Sequence, residues 1–209
     1  INRPYATLVK ALSVATSGDT IFVQSGTFTE VFPLTVPAGV SVRGSGIRAT
    51  FIQPTSGTQT NDGFLLNGET TVEDLSIGNI YEPGYAFRFA NNAKTTTRSP
   101  YIQRVTVLNK GSVTSSTDPY GFDSAQSPPT SYKAGRGALI DGSVVDPTTL
   151  EPAMLFNECT FITPNNTALE MTNGARSEWV NCFTYFADKG IYAYDGSVGV
   201  GSTGYARVK

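Results

Sequence analysis

Phe156-Asn157-Glu158-Cys159-Thr160-Phe161 is followed by Ala168-Leu169-Glu170-Met171-Thr172-Asn173-Gly174. Both pieces return as Trp179-Val180-Asn181-Cys182-Phe183-Thr184 and Gly190-Ile191-Tyr192-Ala193-Tyr194-Asp195-Gly196. Cys159 thus recurs as Cys182 and Gly174 as Gly196, a period in the low twenties. Short alternating apolar runs at such a period are a solenoid signature, each repeat pairing with its neighbours.

Earlier in the chain the same two segment types alternate. The first reads Val72-Glu73-Asp74-Leu75-Ser76-Ile77 and Ile102-Gln103-Arg104-Val105-Thr106-Val107. The second reads Gly63-Phe64-Leu65-Leu66-Asn67-Gly68, Ala86-Phe87-Arg88-Phe89 and Gly137-Ala138-Leu139-Ile140-Asp141-Gly142. Segments of the first type start at Val72, Ile102, Phe156 and Trp179, so the spacing is uneven and the last interval is the shortest. That shortest interval is the bare coil. The longer ones carry insertions, at 78–85, 90–100, 108–136 and 143–153, which in solenoids map to surface loops. The 108–136 insertion, rich in Ser, Thr, Pro and Gly, has the length at which a loop is functional or disordered.

Residues 1–46 read as an entry unit and 47–209 as coils with insertions. Tyr5, Leu8, Ala11, Leu12 and Ala15 follow helical spacing, with Pro4 in the first turn and Gly18 at the end. A helix there would cover the open end of a stack of strands, whose edges are otherwise unpaired. The pattern Pro4-Tyr5-x-x-Leu8-x-x-Ala11-Leu12, then Gly18-Asp19-x-Ile21-x-Val23-x-x-Gly26-x-Phe28-x-Glu30, then Leu34-x-Val36-Pro37-x-Gly39-Val40-x-Val42-x-Gly44 resembles the N-terminal entry of pectin-lyase-like parallel β-helices. The resemblance implies an all-β fold: a single-stranded right-handed parallel β-helix with an N-terminal capping helix. The Asn-, Thr- and Ser-rich later repeats resemble virion structural proteins of tailed phages, marine ones in particular.

Composition limits the function. Net charge is −2 without a basic cluster, which offers nothing to nucleic acid. No apolar run has the roughly 18 residues of a membrane span. Histidine is absent, which removes the commonest general base and zinc ligand. No cofactor or metal is expected. The chain opens on Ile1 and stops in a strand-like Tyr205-Ala206-Arg207-Val208-Lys209, as a piece of something longer would.

Cys159 and Cys182 share one inward register on neighbouring coils, about 4.8 Å apart, a spacing that suits either a disulfide or two stacked thiols. Asn67-Gly68, Asp141-Gly142, Asn173-Gly174 and Asp195-Gly196 read as left-handed turns. Glycoside hydrolysis needs two carboxyl groups roughly 5–10 Å apart. Asp118 and Asp123, both in the long insertion, are the acid-pair candidates. Glu73 and Asp74 are adjacent, so strand alternation sends them to opposite sides. The β-helix pectinases carry an Asp-Asp pair, a Gly-His-Gly and an Arg-x-Lys; only Arg207-Val208-Lys209 matches here. Tyr81, Tyr85, Tyr120, Phe122 and Tyr132, in or beside insertions, are the candidates for stacking on a ligand. Phe156, Phe161, Trp179, Phe183 and Phe186 read as core.

The expected function is a non-enzymatic structural, receptor-binding or glycan-binding module of a phage tail or similar appendage. It would sit in a virion or on a cell surface, among other virion or appendage proteins or as a homotrimer, with a surface polysaccharide as ligand. The alternatives are a polysaccharide depolymerase of the same fold and a secreted bacterial adhesin.

Overall fold

Along Leu34-Thr35-Val36 the first and third side chains are buried and the middle one is exposed, the period-two pattern of a strand with one face on a core. The same pattern repeats down the chain and stacks. The computed structural model describes residues 4–95, 98–110, 133–149 and 152–195, together with the backbone of 205–208. Its first layer holds helix α1 (Leu8–Leu12), β1 (Thr20–Phe22), β2 (Gly26–Glu30) and β3 (Leu34–Val36). The next holds β4 (Ser41–Arg43), β5 (Thr50–Pro54) and β6 (Phe64–Leu66). Then come β7 (Thr71–Gly78) with β8 (Tyr85–Phe89), and β9 (Tyr101–Leu108) with β10 (Arg136–Asp141). β11 (Ala153–Asn157), β12 (Thr160–Ile162) and β13 (Thr167–Thr172) follow, then β14 (Arg176–Val180), β15 (Phe183–Tyr185) and β16 (Lys189–Ala193). β17 (Tyr205–Val208) pairs onto β14.

Every pairing between these strands is parallel, and they form two sheets, as in a β-helix. One runs β1-β4-β7-β9-β11-β14-β17, with β2, β5, β12 and β15 attached; the other runs β3-β6-β8-β10-β13-β16. The core is built from residues in register. Val42, Val72, Ile102, Phe156 and Trp179 stack on the first sheet. Leu34, Phe64, Phe87, Ala138, Leu169 and Ile191 stack on the second. Phe64 and Phe87 stack with centroids 5.8 Å apart, and Phe161 lies on Trp179 at 4.7 Å. Burial of these side chains, each worth about 1.5–3 kcal/mol, is the main driving force for the fold.

Where the first sheet bends, a non-glycine residue takes left-handed backbone at the same register in four layers: Asp74 (φ 56°), Arg104 (φ 49°), Glu158 (φ 53°) and Asn181 (φ 49°). Such a residue breaks the alternation. Glu73 and Asp74 therefore do not point to opposite sides, as adjacency implies; both meet Arg104. Its Nε donates to Asp74 Oδ1 at 2.6 Å, and its Nη2 donates to Glu73 Oε2 at 2.7 Å. Arg43, one layer below, approaches Asp74 at 3.3 Å. The hydrogen bond from Arg104 holds the Asp74 carboxyl below its ordinary range, with the charges of Arg104 and Arg43 adding to it. A carboxylate with a lowered folded-state pKa stabilises above its unfolded value, near pH 4, and loses that contribution as pH falls through the folded value. Replacing Asp74 with Asn is thus expected to flatten the acid limb of stability below about pH 4. Urea melts at pH 6 and pH 3 check this; an unchanged acid slope would contradict it.

The helix is shorter than its apolar spacing implies. Thr7 caps it, its side chain accepting from Lys10 N, so Pro4 lies outside the first turn and Tyr5 is exposed. It ends at Leu12, capped by Ser13, and Gly18 (φ 95°) serves the turn into β1 instead. Leu8, Ala11 and Leu12 are the buried face. The Glu30 side chain, 3% exposed, accepts from Leu8 N at 2.7 Å and Val9 N at 3.3 Å. It thereby satisfies two donors that a helix start leaves unpaired.

Two further expectations change. Asn67 and Asp141 are not left-handed. Asp141 is extended (φ −108°), and its carboxylate accepts from Ser143 N at 2.8 Å and Asn173 Nδ2 at 2.8 Å. The glycine after each is required for space: a Cβ on Gly68 would lie 1.7 Å from Lys94 O. Asn173 (φ 54°) and Asp195 (φ 46°) do take the left-handed form. Phe183 and Phe186 are exposed, not core. Phe183 is in register with Thr160, and it is Thr184 that aligns with buried Phe161.

Candidate functional site

The residues between β7 and β8 build the site. Ile80, fully buried, anchors this loop, and its N–H donates to Asn109 Oδ1 at 3.2 Å. Tyr81 bridges to Ala134, and Glu82 N donates to Lys133 O at 3.0 Å, so the loop lies along the end of the long insertion. Beside it opens a cleft of about 420 Å³, lined by Pro33, Thr60, Asn61, Asp62, Pro83, Gly84, Tyr85, Arg88 and Arg136. The peptides preceding Pro33 and Pro83 are cis.

Two arginines converge on one tyrosine. The guanidinium carbons of Arg88 and Arg136 lie 5.7 and 5.1 Å from the centre of the Tyr85 ring, at cation–π distance. Arg88 Nη1 donates to Asp62 Oδ2 at 3.0 Å. Arg136 is used on all sides: Nη1 donates to Tyr85 Oη at 2.7 Å, Nε to Asn166 Oδ1 at 3.0 Å and Nη2 to Glu82 Oε1 at 3.2 Å. Tyr85 Oη donates in turn to Glu170 Oε2 at 2.7 Å, and Tyr194 Oη donates to Glu170 Oε1 at 2.7 Å. Burial, then the Glu170 carboxylate, pushes the Tyr85 phenol above its ordinary value. The hydrogen bond to Glu170 pushes Tyr194 up to about 12. Both phenols therefore stay protonated and donate at neutral pH. Burial alone would lower Arg136, but Tyr85, Glu170 and Glu82 outweigh it and hold the guanidinium charged.

Of the stacking candidates, Tyr81 is half-buried and already engaged by its neighbours, while Tyr85 is only 6% exposed. Tyr85 lies in a strand beneath the arginines, so it organises the cleft and does not offer a free ring. Tyr120, Phe122, Tyr132, Asp118 and Asp123 lie outside the described residues. Cys159 and Cys182 are free thiols in adjacent layers, with Cys159 N donating to Cys182 Sγ at 3.4 Å; burial pushes the Cys159 thiol up. Among the described residues, no group of three His, Cys, Asp or Glu is placed to hold a metal ion, and no helix is long and apolar enough to cross a membrane.

Sequence reading missed Asp62, Arg88, Arg136, Glu170 and Tyr194. A signal existed for two of them. Aligning the second segment type puts Arg88, Leu139, Glu170 and Tyr192 at one register, the first three between buried neighbours. A charge alternating with two phenylalanines, as in Phe87-Arg88-Phe89, faces out of the sheet.

No curated protein and no solved structure matches the chain. Residues 1–81 match a family model described as "Protein of unknown function (DUF1565)", a family associated with parallel β-helix proteins. That likeness spans α1 through β7 and part of the loop beside the cleft, and it agrees with the parallel sheets.

Proposed function

We propose that the chain is a glycan-binding module that holds a surface polysaccharide without cleaving it, built as a single right-handed β-helix with α1 covering its first end. Parallel strands joined by crossovers are right-handed in nearly all proteins, which supports the hand. The observation that carries the function is the cleft on the outer face of the second sheet. There Asp62 and Arg88 meet beside Asn61 and Thr60, with Arg88 over the Tyr85 ring, a planar donor and acceptor set suited to sugar hydroxyls.

Binding is favoured over cleavage because Asp62, which lines the cleft, and Glu82 and Glu170 behind its arginine and tyrosine already accept hydrogen bonds: Asp62 from Arg88, Glu82 from Arg136 and Glu170 from two tyrosines. A hydrolase needs one carboxyl group that donates a proton. The setting we propose is a phage particle or cell-surface appendage, with the module among other proteins of that assembly or as a homotrimer.

The test is surface plasmon resonance against a panel of purified bacterial capsular and O-antigen polysaccharides, with a reducing-end assay on the same mixtures. Retention without product is expected, and Arg88→Ala or Asp62→Ala should weaken it by roughly tenfold or more, as the loss of a charge-assisted contact implies. Release of oligosaccharides, or retention unaltered by both variants, would overturn the reading.

A further inference from the structure

Beyond Arg136, at the edge of the cleft, the hydrogen-bond network continues. Glu170 takes one tyrosine hydroxyl from each side, Tyr85 from β8 and Tyr194 beyond the end of β16. The register that begins at Arg88 passes through Leu139, itself buried, and Glu170 to Tyr192. That is three strand spacings, about 14 Å of sheet face. At its far end the Tyr192 and Tyr194 rings stack with centroids 4.8 Å apart and planes 26° from parallel, and Lys189 Nζ sits 4.7 Å from the Tyr192 ring. Tyr192 is 39% exposed. The face thus offers a polar cleft at one end, a fixed carboxylate in the middle and an exposed aromatic at the other. An aromatic face packs against the C–H side of a sugar ring while its neighbours take the hydroxyls.

Charge narrows the ligand. Each cleft guanidinium is matched by one carboxylate, Arg88 by Asp62 and Arg136 by Glu82. An acidic sugar would have to break one of these pairs and would then face Glu170. An uncharged diol can bridge the Asp62–Arg88 pair, donating to the carboxylate and accepting from the guanidinium, without separating it. We propose that this face binds an internal stretch of an extended, uncharged glycan, running from the cleft across β10 and β13 to Tyr192. This rests on the glycan-binding reading above and adds the length and charge of the ligand to it.

Titration calorimetry with neutral malto-, manno- and xylo-oligosaccharides of two to six units, and with oligogalacturonates of the same lengths, tests it. For at least one neutral series the affinity should rise roughly tenfold from the shortest to the longest member, as an added aromatic subsite implies. Tyr192→Ala should remove that rise while leaving the affinity for the disaccharide unchanged. Tyr192 is exposed, so the variant is expected to fold; a melting temperature equal to the wild type's establishes this, and Tyr194→Phe serves as a second, milder probe. Affinity independent of length, a rise that survives Tyr192→Ala, or tighter binding of oligogalacturonates would overturn this inference and leave glycan binding standing. Absence of binding to every saccharide here and to the polysaccharide panel would overturn both.

Discussion

Replacing Phe161 with alanine is expected to lower folding stability by about 3–5 kcal/mol. Phe161 is fully buried in β12, between Val107 of the layer below and Thr184 of the layer above. Its ring meets Phe156 edge-on at 5.6 Å and stacks on Trp179 at 4.7 Å, the planes 30° apart. Truncation would remove these ring contacts and leave a void that three parallel strands cannot close without breaking their ladder. Trp179 is the chain's single tryptophan, so its emission reports on the void directly. Guanidinium unfolding followed by that emission gives the stability change. Phe183→Ala, at a 59% exposed position, should stay within about 0.5 kcal/mol. A loss at Phe161 as small as that would show that the core relaxes into the space.

A single added methyl at Gly137 is expected to destabilise by an amount at the upper end of about 1–3 kcal/mol. An alanine Cβ there would lie 2.0 Å from Ala168 O and 2.5 Å from Phe161 Cδ1. The first obstacle is backbone in the neighbouring strand, so no rotamer change relieves it. Gly190→Ala is the matched comparison: its nearest neighbour is the Thr184 side chain at 3.3 Å, and the effect should be much smaller. In the double variant Phe161→Ala/Gly137→Ala the side-chain overlap is gone and the backbone overlap remains. The two losses should therefore sum to less than their separate values. Full additivity in a double-mutant cycle would mean that the two positions do not touch.

The stack was legible because its signal is local. Val72, Ile102, Phe156 and Trp179 each begin a segment with the same apolar spacing, and they stand in register in the first sheet. The bends were not legible from alternation, because left-handed backbone at Asp74, Arg104, Glu158 and Asn181 reverses it. Nothing in the residue types announces this, since Arg and Glu are unusual there. Phe183 was misplaced for a related reason: Cys159 and Cys182 follow Glu158 and Asn181 at the bend, and one position later Phe183 falls beside Thr160. The cleft was half legible. The stretch 78–85 reads as an insertion, and Tyr85 at its end lines the cleft. Asp62, Arg136 and Glu170 come from other layers, and the contact of Tyr85 with Glu170 spans 85 residues of sequence. Only stacking brings such positions together, although the outward register shared by Arg88, Glu170 and Tyr192 could be read from the aligned repeats.

The uneven repeat length has a thermodynamic meaning. Leu155 pairs forward with Glu178, one bare coil away, and backward with Tyr101, more than twice as distant along the chain. The entropy of closing a flexible loop grows only with the logarithm of its length, so the longer interval costs about 0.8 kcal/mol more than the shorter. Against a ladder of buried side chains each worth about 1.5–3 kcal/mol, that difference is minor. Such a scaffold can lengthen, shorten or exchange the segment between β9 and β10 at little cost in loop-closure entropy. The length of that segment and the stability of the stack are thereby nearly independent quantities.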